Sequence, residues 1–328
     1  MKVRTPALFL GHGGGPLPLM NDPSHRDMVR TFSHNGRIWK SIHDPKVNAI
    51  VVVSAHYVAS SELSSTKKHA ADHENGKPST ILVQCEAQPK LLYDYFGFPP
   101  ETYKYTMSNP GSVELAERIV SLVNENKSEG DCLAADSIGK SSPSVIHAKL
   151  DKRSRGFDHG VFVPMLALNA PSTLPIVTVS LANDYDASAH IALGQALAPL
   201  RNEGVLLVGS GLSFHNMGAF LGRAGADERD VHDKARLFDV GLETLIMDAV
   251  TGNVEDGSKL EKWRSTLSQS EFCHPTAEHL MPLFVVLGSA IANCGDTAHI
   301  PSVNSCDVAV EKIAFDVMGI PTCHFIFD

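Results

Sequence analysis

The chain has 328 residues, 43% of them apolar and 20% charged, enough to bury a large core in one big domain or two smaller ones. A formal net charge of -9, with a pI near 5.9, offers no basic face to a phosphate backbone and excludes nucleic acid as an expected partner. No stretch approaches the roughly 18 consecutive apolar residues of a membrane-crossing helix.

In chain order, Met1 to Pro6 leads straight into an apolar run instead of a signal-peptide core, so a cytoplasmic location is the expectation. Ala7–Leu10 and Ala49–Val53 lack polar alternation and end at Gly or Ser, which predicts fully buried strands. Ser112–Val123 places apolar residues at i, i+3, i+4 and i+7 behind a Pro-Gly and a capping serine, which predicts a helix. Further strands are expected at Pro175–Leu181 and Val205–Gly209, with helices over His190–Leu200 and Asp230–Val250. A last helix opens at Thr276 as N-cap and continues through Leu280, Leu283, Phe284 and Leu287, and a last strand lies near His324–Phe327. Residues 66–79, 127–155 and 251–270 are polar and rich in turn formers, and read as insertions forming loops or short extra helices. The alternation predicts an α/β fold: a single domain over 1–328, with a central mostly parallel or mixed sheet flanked by helices.

Strand carboxyl ends converge on one crevice in such folds. Three histidines follow strand-like segments, His12, His56 and His215, and His279 stands at the head of the last helix. Any single histidine is more often a satisfied structural residue, but this coincidence predicts a metal site at the strand carboxyl ends. Neutral imidazole suits zinc, iron, copper or nickel better than magnesium or calcium, so a transition metal is favoured. His274 and His279 are five apart and do not form the His-x-x-x-His face of a zinc protease, which leaves His274 to contact substrate or solvent. His159, between Asp158 and Gly160, is a turn histidine or a general acid/base.

Asp94, Glu86 and Glu278 are candidates for an oxygen ligand or for orienting a ligand histidine. Glu278 also suits a helix N-terminus electrostatically. Ser210 follows a strand but lacks the Gly-x-Ser-x-Gly elbow of a serine hydrolase. The six cysteines (Cys85, Cys132, Cys273, Cys294, Cys306, Cys323) have no Cys-x-x-Cys spacing and read as reduced, mostly buried thiols.

Several segments, in order along nearly the whole chain, carry a resemblance: Pro6–Gly13, Ile50–His56, Tyr93–Pro99, Pro110–Ser112, Gly156–Gly160, Ser210–Asn216 and Pro275–His279. Through them the sequence resembles the class III extradiol ring-cleavage dioxygenases, in the 4,5-DOPA dioxygenase extradiol branch of the LigB-like superfamily. The resemblance implies a metal site of His12, His56 and His279, with His215 as fourth ligand or acid/base and His159 as a second active-site histidine. It implies Fe(II) for dioxygenase activity, because zinc cannot change redox state, although Zn(II) can occupy such a site in purified protein. The small-molecule partners implied are a catechol and O2, with ring opening outside the diol to a muconic semialdehyde type product. His274, Tyr57 and Phe157 are expected at the substrate, among aromatic candidates that include Phe98 and Phe214. The rival readings are a zinc-dependent hydrolase on the same scaffold and a non-enzymatic metal-containing binding protein.

Overall fold

The computed structural model describes residues 4–59, 79–125, 146–252, 258–292 and 308–328. Its strands are β1 (Ala7–Gly11), β2 (Ala49–Val58), β3 (Ser79–Gln84), β4 (Ile146–Asp151), β5 (Ile176–Leu181), β6 (Val205–Gly211), β7 (Val310–Val317) and β8 (Ile320–Phe327). They form one sheet in the order β4-β3-β5-β2-β6-β1-β8-β7. The central β5, β2, β6 and β1 run parallel. β3 is antiparallel to β5, and the β7–β8 hairpin joins antiparallel to β1, so the sheet is mixed.

Successive side chains of a strand point to opposite faces. Phe9, Val51, Val53 and Leu207 enter a core shared with the helices Val113–Glu125, Ala187–Asn202, Glu228–Thr251 and Met281–Ile291. Leu8, Leu10, Ile50, Val52 and Val208 enter a second core on the other face, with Met28, Ile38 and Phe162. Both faces are therefore covered, which is why the central strands read as unbroken apolar runs. The helices Ala187–Asn202 and Met281–Ile291 touch through glycine: a Cβ on Gly194 would stand 1.9 Å from the Val285 carbonyl oxygen.

Several expectations need correction. β2 does not stop at Val53 but continues to Val58, and its pairing with β5 shifts register between Val53 and Val58. Such an irregularity re-aims the residues it contains, here including His56. Within the expected insertion 127–155, residues 146–151 form the edge strand β4, whose outward Lys149 masks its strand character and blunts the edge; residues 127–145 lie outside the description. Of the 66–79 insertion only Ser79 is described, as the first residue of β3. Of the 251–270 insertion, Thr251 closes the Glu228–Thr251 helix, Ser258–Glu261 and Trp263–Thr266 are short helices, and residues 253–257 lie outside the description. The last helix starts at Met281, not after Thr276, because Pro282 takes its first turn and the Thr276 hydroxyl is spent on Glu278. Of the cysteines, Cys273 and Cys323 are buried and Cys85 half-buried, all free thiols; Cys132, Cys294 and Cys306 lie outside the described residues.

Candidate metal centre

The parallel strands deliver the histidines to one end of the sheet. His12 follows β1, its amide bonded to the Gly211 carbonyl at the end of β6. The chain then turns through Gly13, with φ of 75°, where a Cβ would come within 2.7 Å of His25 and Pro18. His279 lies in the turn before its helix, and its carbonyl accepts the Leu212 amide at 3.0 Å. A Cβ on Gly211 would stand 2.1 Å from that carbonyl oxygen, so glycine is what lets β6 approach the His279 turn. His159 opens the His159–Ala167 helix, and His215 precedes the short helix Met217–Phe220.

The five rings cluster. His12, His56 and His279 form a near-equilateral triangle, with ring centroids 4.9, 5.0 and 5.3 Å apart. His159 stands 4.0 Å from His56 and 5.3 Å from His12, and His215 stacks on His279 at 3.4 Å. Potential donor atoms of His12, His56 and His159 lie within 4.8 Å of one another, as do those of His215, Glu278 and His279. The expected triad of His12, His56 and His279 thus spans both groups.

Hydrogen bonding sorts the ring nitrogens. Ser210 donates its one proton to the Gly160 carbonyl, so it can only accept from His12 Nδ1 at 3.0 Å, which leaves the His12 Nε2 lone pair free. Asp94 Oδ1 accepts both the amide and Nδ1 of His159, at 2.9 and 2.8 Å, while Asp94 Oδ2 lies 3.5 Å from His56 Nδ1. Glu278 Oε1 accepts from His279 Nδ1 at 3.2 Å and Thr276 at 2.8 Å, and lies 3.6 Å from His215 Nδ1. Two carboxylates and one serine therefore hold His12, His159 and His279 by Nδ1, an arrangement that fixes tautomer and ring direction in metal sites, and the same carboxylates stand beside Nδ1 of His56 and His215. Glu278 and His279 both serve the site, one orienting and one presenting its ring.

Electrostatics keep His12, His56, His215 and His279 neutral. Burial, then the neighbouring histidines, push His12 and His279 well below the ordinary imidazole range. Burial, with His159, lowers His56 to about 4, and burial lowers His215 to about 4 against the opposing charge of Glu278. Burial pushes the Asp94 carboxyl up, but its hydrogen bond and charge interaction with His159, aided by His56, outweigh that and hold it at about 2. The donor set fits a metal. His12 Nε2 and His56 Nε2 face each other at 3.1 Å, and two nitrogens each about 2.1 Å from one ion lie about 3.0–3.4 Å apart at octahedral to tetrahedral angles.

Other candidates are placed elsewhere. Tyr57 is 2% exposed, with its hydroxyl on Asp151 at 2.6 Å and the Arg155 guanidinium over its ring. Phe157 and Phe214 are buried in the core. His274 is fully buried against Phe238 and Trp263, with Nε2 donating to the Ser213 carbonyl at 2.9 Å and Nδ1 unpartnered. Glu86 accepts from Gln84 and Ser154, away from the histidines. Asp158 takes Ser54 and Arg155, not a ring nitrogen. Phe98 stays half-buried beside Gly15 and Tyr95, and Tyr95 sets its ring 6.1 Å from His159. Sequence reasoning missed the orienting role of Ser210; a polar residue closing an apolar strand was the available signal.

The family model of the catalytic LigB subunit of aromatic ring-opening dioxygenase matches residues 6–299, and the chain belongs to that family. Dioxygenase tasH of Hapsidospora irregularis is 33% identical over 294 residues, covering 87% of this chain and 78% of that protein. The 4,5-DOPA dioxygenase extradiol of Beta vulgaris is 32% identical over 285 residues, covering 87% of each chain; that of Escherichia coli K12 is 28% identical over 291 residues, covering 88% of this chain and 86% of its own. A crystal structure of an uncharacterized protein from Escherichia coli K12 shares the fold, with a TM-score of 0.63 at 24% identity over 99% of this chain and 100% of that one. The chain is thus a ring-cleaving dioxygenase of the LigB type, a metal-dependent class that acts on a small molecule with O2. Among the described residues no helix is long and apolar enough to cross a membrane.

Proposed function

We propose that this protein opens the ring of a catechol beside its two hydroxyls, with both atoms of O2 entering a muconic semialdehyde type product, at an iron(II) held by His12, His56 and His279. The observation that carries the reading is the set of neutral imidazoles whose Nδ1 atoms face oxygens, with His12 and His56 apposed at Nε2. The near-equilateral ring triangle favours His279 as third ligand, as does its pairing with Glu278. Iron(II) in this donor set would supply a redox-active Lewis acid coupling an electron-rich diol to dioxygen, which zinc, fixed in one oxidation state, does not.

His215 and His159 flank the triad and handle protons. His215, oriented from behind by Glu278, takes a phenolic proton at Nε2 and later returns one to the opening ring. His159, fixed by two bonds to Asp94, hydrogen-bonds the substrate or the incoming oxygen through Nε2. Tyr95 beside His159 and Phe220 beside His215 supply apolar walls that limit water. We read residues 1–328 as one catalytic domain.

The test is anaerobic loading with iron(II), followed by oxygen uptake and absorbance scanning with DOPA, caffeate and protocatechuate. One O2 consumed per catechol, with a new yellow product, is the expected result. No uptake with any catechol, alongside tight zinc binding, would replace this reading with the hydrolase or binding-protein one.

A further inference from the structure

His56 is not held by the sheet that carries it. The ladder from β2 to β6 ends at Ser54, and the ladder to β5 skips from Val53 to Val58, so Ala55, His56 and Tyr57 have no cross-strand register partner. Backbone polar groups left without ladder bonds must be satisfied elsewhere. The His56 amide donates to Ser54 Oγ at 3.2 Å, and the His56 carbonyl accepts from Arg155 Nη2 at 2.7 Å. Side chains stand where neighbouring strands would.

Arg155 reaches three partners from one planar fork. Besides the His56 carbonyl, its Nη1 donates to Asp158 Oδ2 at 2.8 Å, and its guanidinium carbon lies 4.3 Å from the centroid of the Tyr57 ring. Asp158 Oδ1 in turn accepts from Ser54 Oγ at 2.7 Å, which closes a ring of contacts around the His56 backbone. Asp158 is fully buried and the Arg155 side chain only 15% exposed, so the pair is desolvated and costly to break from one side.

The same turn places His159. Asp158 immediately precedes the His159–Ala167 helix, and Gly156, at a φ of 79°, brings the turn against the segment that leads to Asp94. Phe157 N donates to the Lys90 carbonyl at 2.8 Å and Leu92 N to the Phe157 carbonyl at 2.7 Å, while a Cβ on Gly156 would stand 2.4 Å from the Lys90 carbonyl oxygen. One guanidinium therefore ties the end of β2 to the turn that sets His159, with His56 Nε2 3.1 Å from His12 Nε2 and the His56 ring 4.0 Å from that of His159.

We infer that Arg155 is a positioning residue for the metal centre: through the His56 carbonyl, Asp158 and the face of Tyr57 it holds the irregular end of β2 so that His56 Nε2 converges with His12 Nε2. This role rests on the reading of His56 as a metal ligand and adds to it the group that sets the direction of the ring. Lysine is a poor substitute, because an ammonium lacks the flat fork that serves Asp158 and the His56 carbonyl while stacked on Tyr57.

Cobalt(II), whose visible absorption reports ligand number and geometry, is the probe, titrated anaerobically into the full chain against a competing chelator. Arg155→Gln should weaken cobalt(II) binding by about 10–100-fold, the scale of losing a partner that orients a ligand, and should change the absorption of the saturated protein. Arg155→Lys should show both changes with a smaller loss of affinity. Arg153→Gln removes the ion pair with Asp151 on the same turn, away from the His56 backbone, and should match wild type in both readouts. An arginine that only stabilises the fold would lower the urea midpoint of Arg155→Gln and leave affinity and the saturated spectrum as in wild type; that result overturns the inference, as does equal weakening in Arg153→Gln. Where Arg155→Gln does not fold, Arg155→Lys decides, and wild-type affinity and spectrum there overturn it. A wild type that binds no cobalt(II) overturns the metal reading itself.

Discussion

His274 apart, with one nitrogen bonded and one unpartnered, the buried histidines among the described residues fall into two populations, and their ring nitrogens tell them apart. In the body of the fold, His25 accepts the Gly14 amide at Nε2 and meets Ser24 at Nδ1, His190 joins Asp186 to Ala182, and His324 joins Gly11 to Thr31. Both nitrogens are spent, and the ring works as a polar rivet. At the strand carboxyl ends, His12, His159 and His279 spend Nδ1 on an oxygen side chain, with His56 similarly disposed toward Asp94. Burial and histidine identity are common to both populations. What separates them is the free Nε2, and a metal centre is the use that a cluster of such nitrogens has.

The largest effect that tests this contrast is on metal content. His12→Ala and His56→Ala should each abolish binding, measured by metal analysis after anaerobic loading; full retention in both would dissolve the distinction. Next, His215→Ala should keep the metal and lower kcat by about 10²–10⁴-fold, the range of general acid/base catalysis, read by oxygen uptake. Ser210→Ala removes only the partner of His12 Nδ1 and should weaken metal affinity by about 10–100-fold in a competitive chelator titration. Unchanged affinity there would show that the serine does not set the tautomer.

The smallest effect concerns two buried rings in the body of the fold, the rivet His324 and the singly bonded His274. Burial lowers His324 to about 3 and His274 to about 3, from an ordinary 6.5. The native state keeps both neutral while the unfolded chain takes up protons below 6.5, so their stabilisation is complete above that pH. It declines through the window from 6.5 to about 3, at about 1.4 kcal/mol per pH unit for each ring. The urea midpoint of the metal-free protein should therefore be lower at pH 5 than at pH 7, and an equal midpoint would contradict the sign.

Much of this was legible in the sequence. β1, β2, β5, β6 and β8 announce themselves as apolar runs because both faces of the sheet are covered. β4 and β7 escaped because edge strands alternate with charge: Lys149 in one, Glu311, Lys312 and Asp316 in the other. The His159–Ala167 helix escaped because it is buried almost all round and carries Gly160 and Pro164, which left no amphipathic stripe to read. At the site, histidines after strands were a sound signal. Sequence set His279 at the metal and left His274 to substrate or solvent, but could not show that the His274 ring packs on Phe238 and Trp263, because that burial is made by distant elements of the fold. Nor could it show that Asp94, far from any histidine in the chain, holds His159.

The ligand set itself is most directly tested by anaerobic iron(II) titration of wild type beside His279→Ala and His159→Ala. The account predicts one iron per chain in wild type and in His159→Ala, and none in His279→Ala. Iron retained by His279→Ala and lost from His159→Ala would move the centre to the nitrogens of His12, His56 and His159 and contradict the assignment.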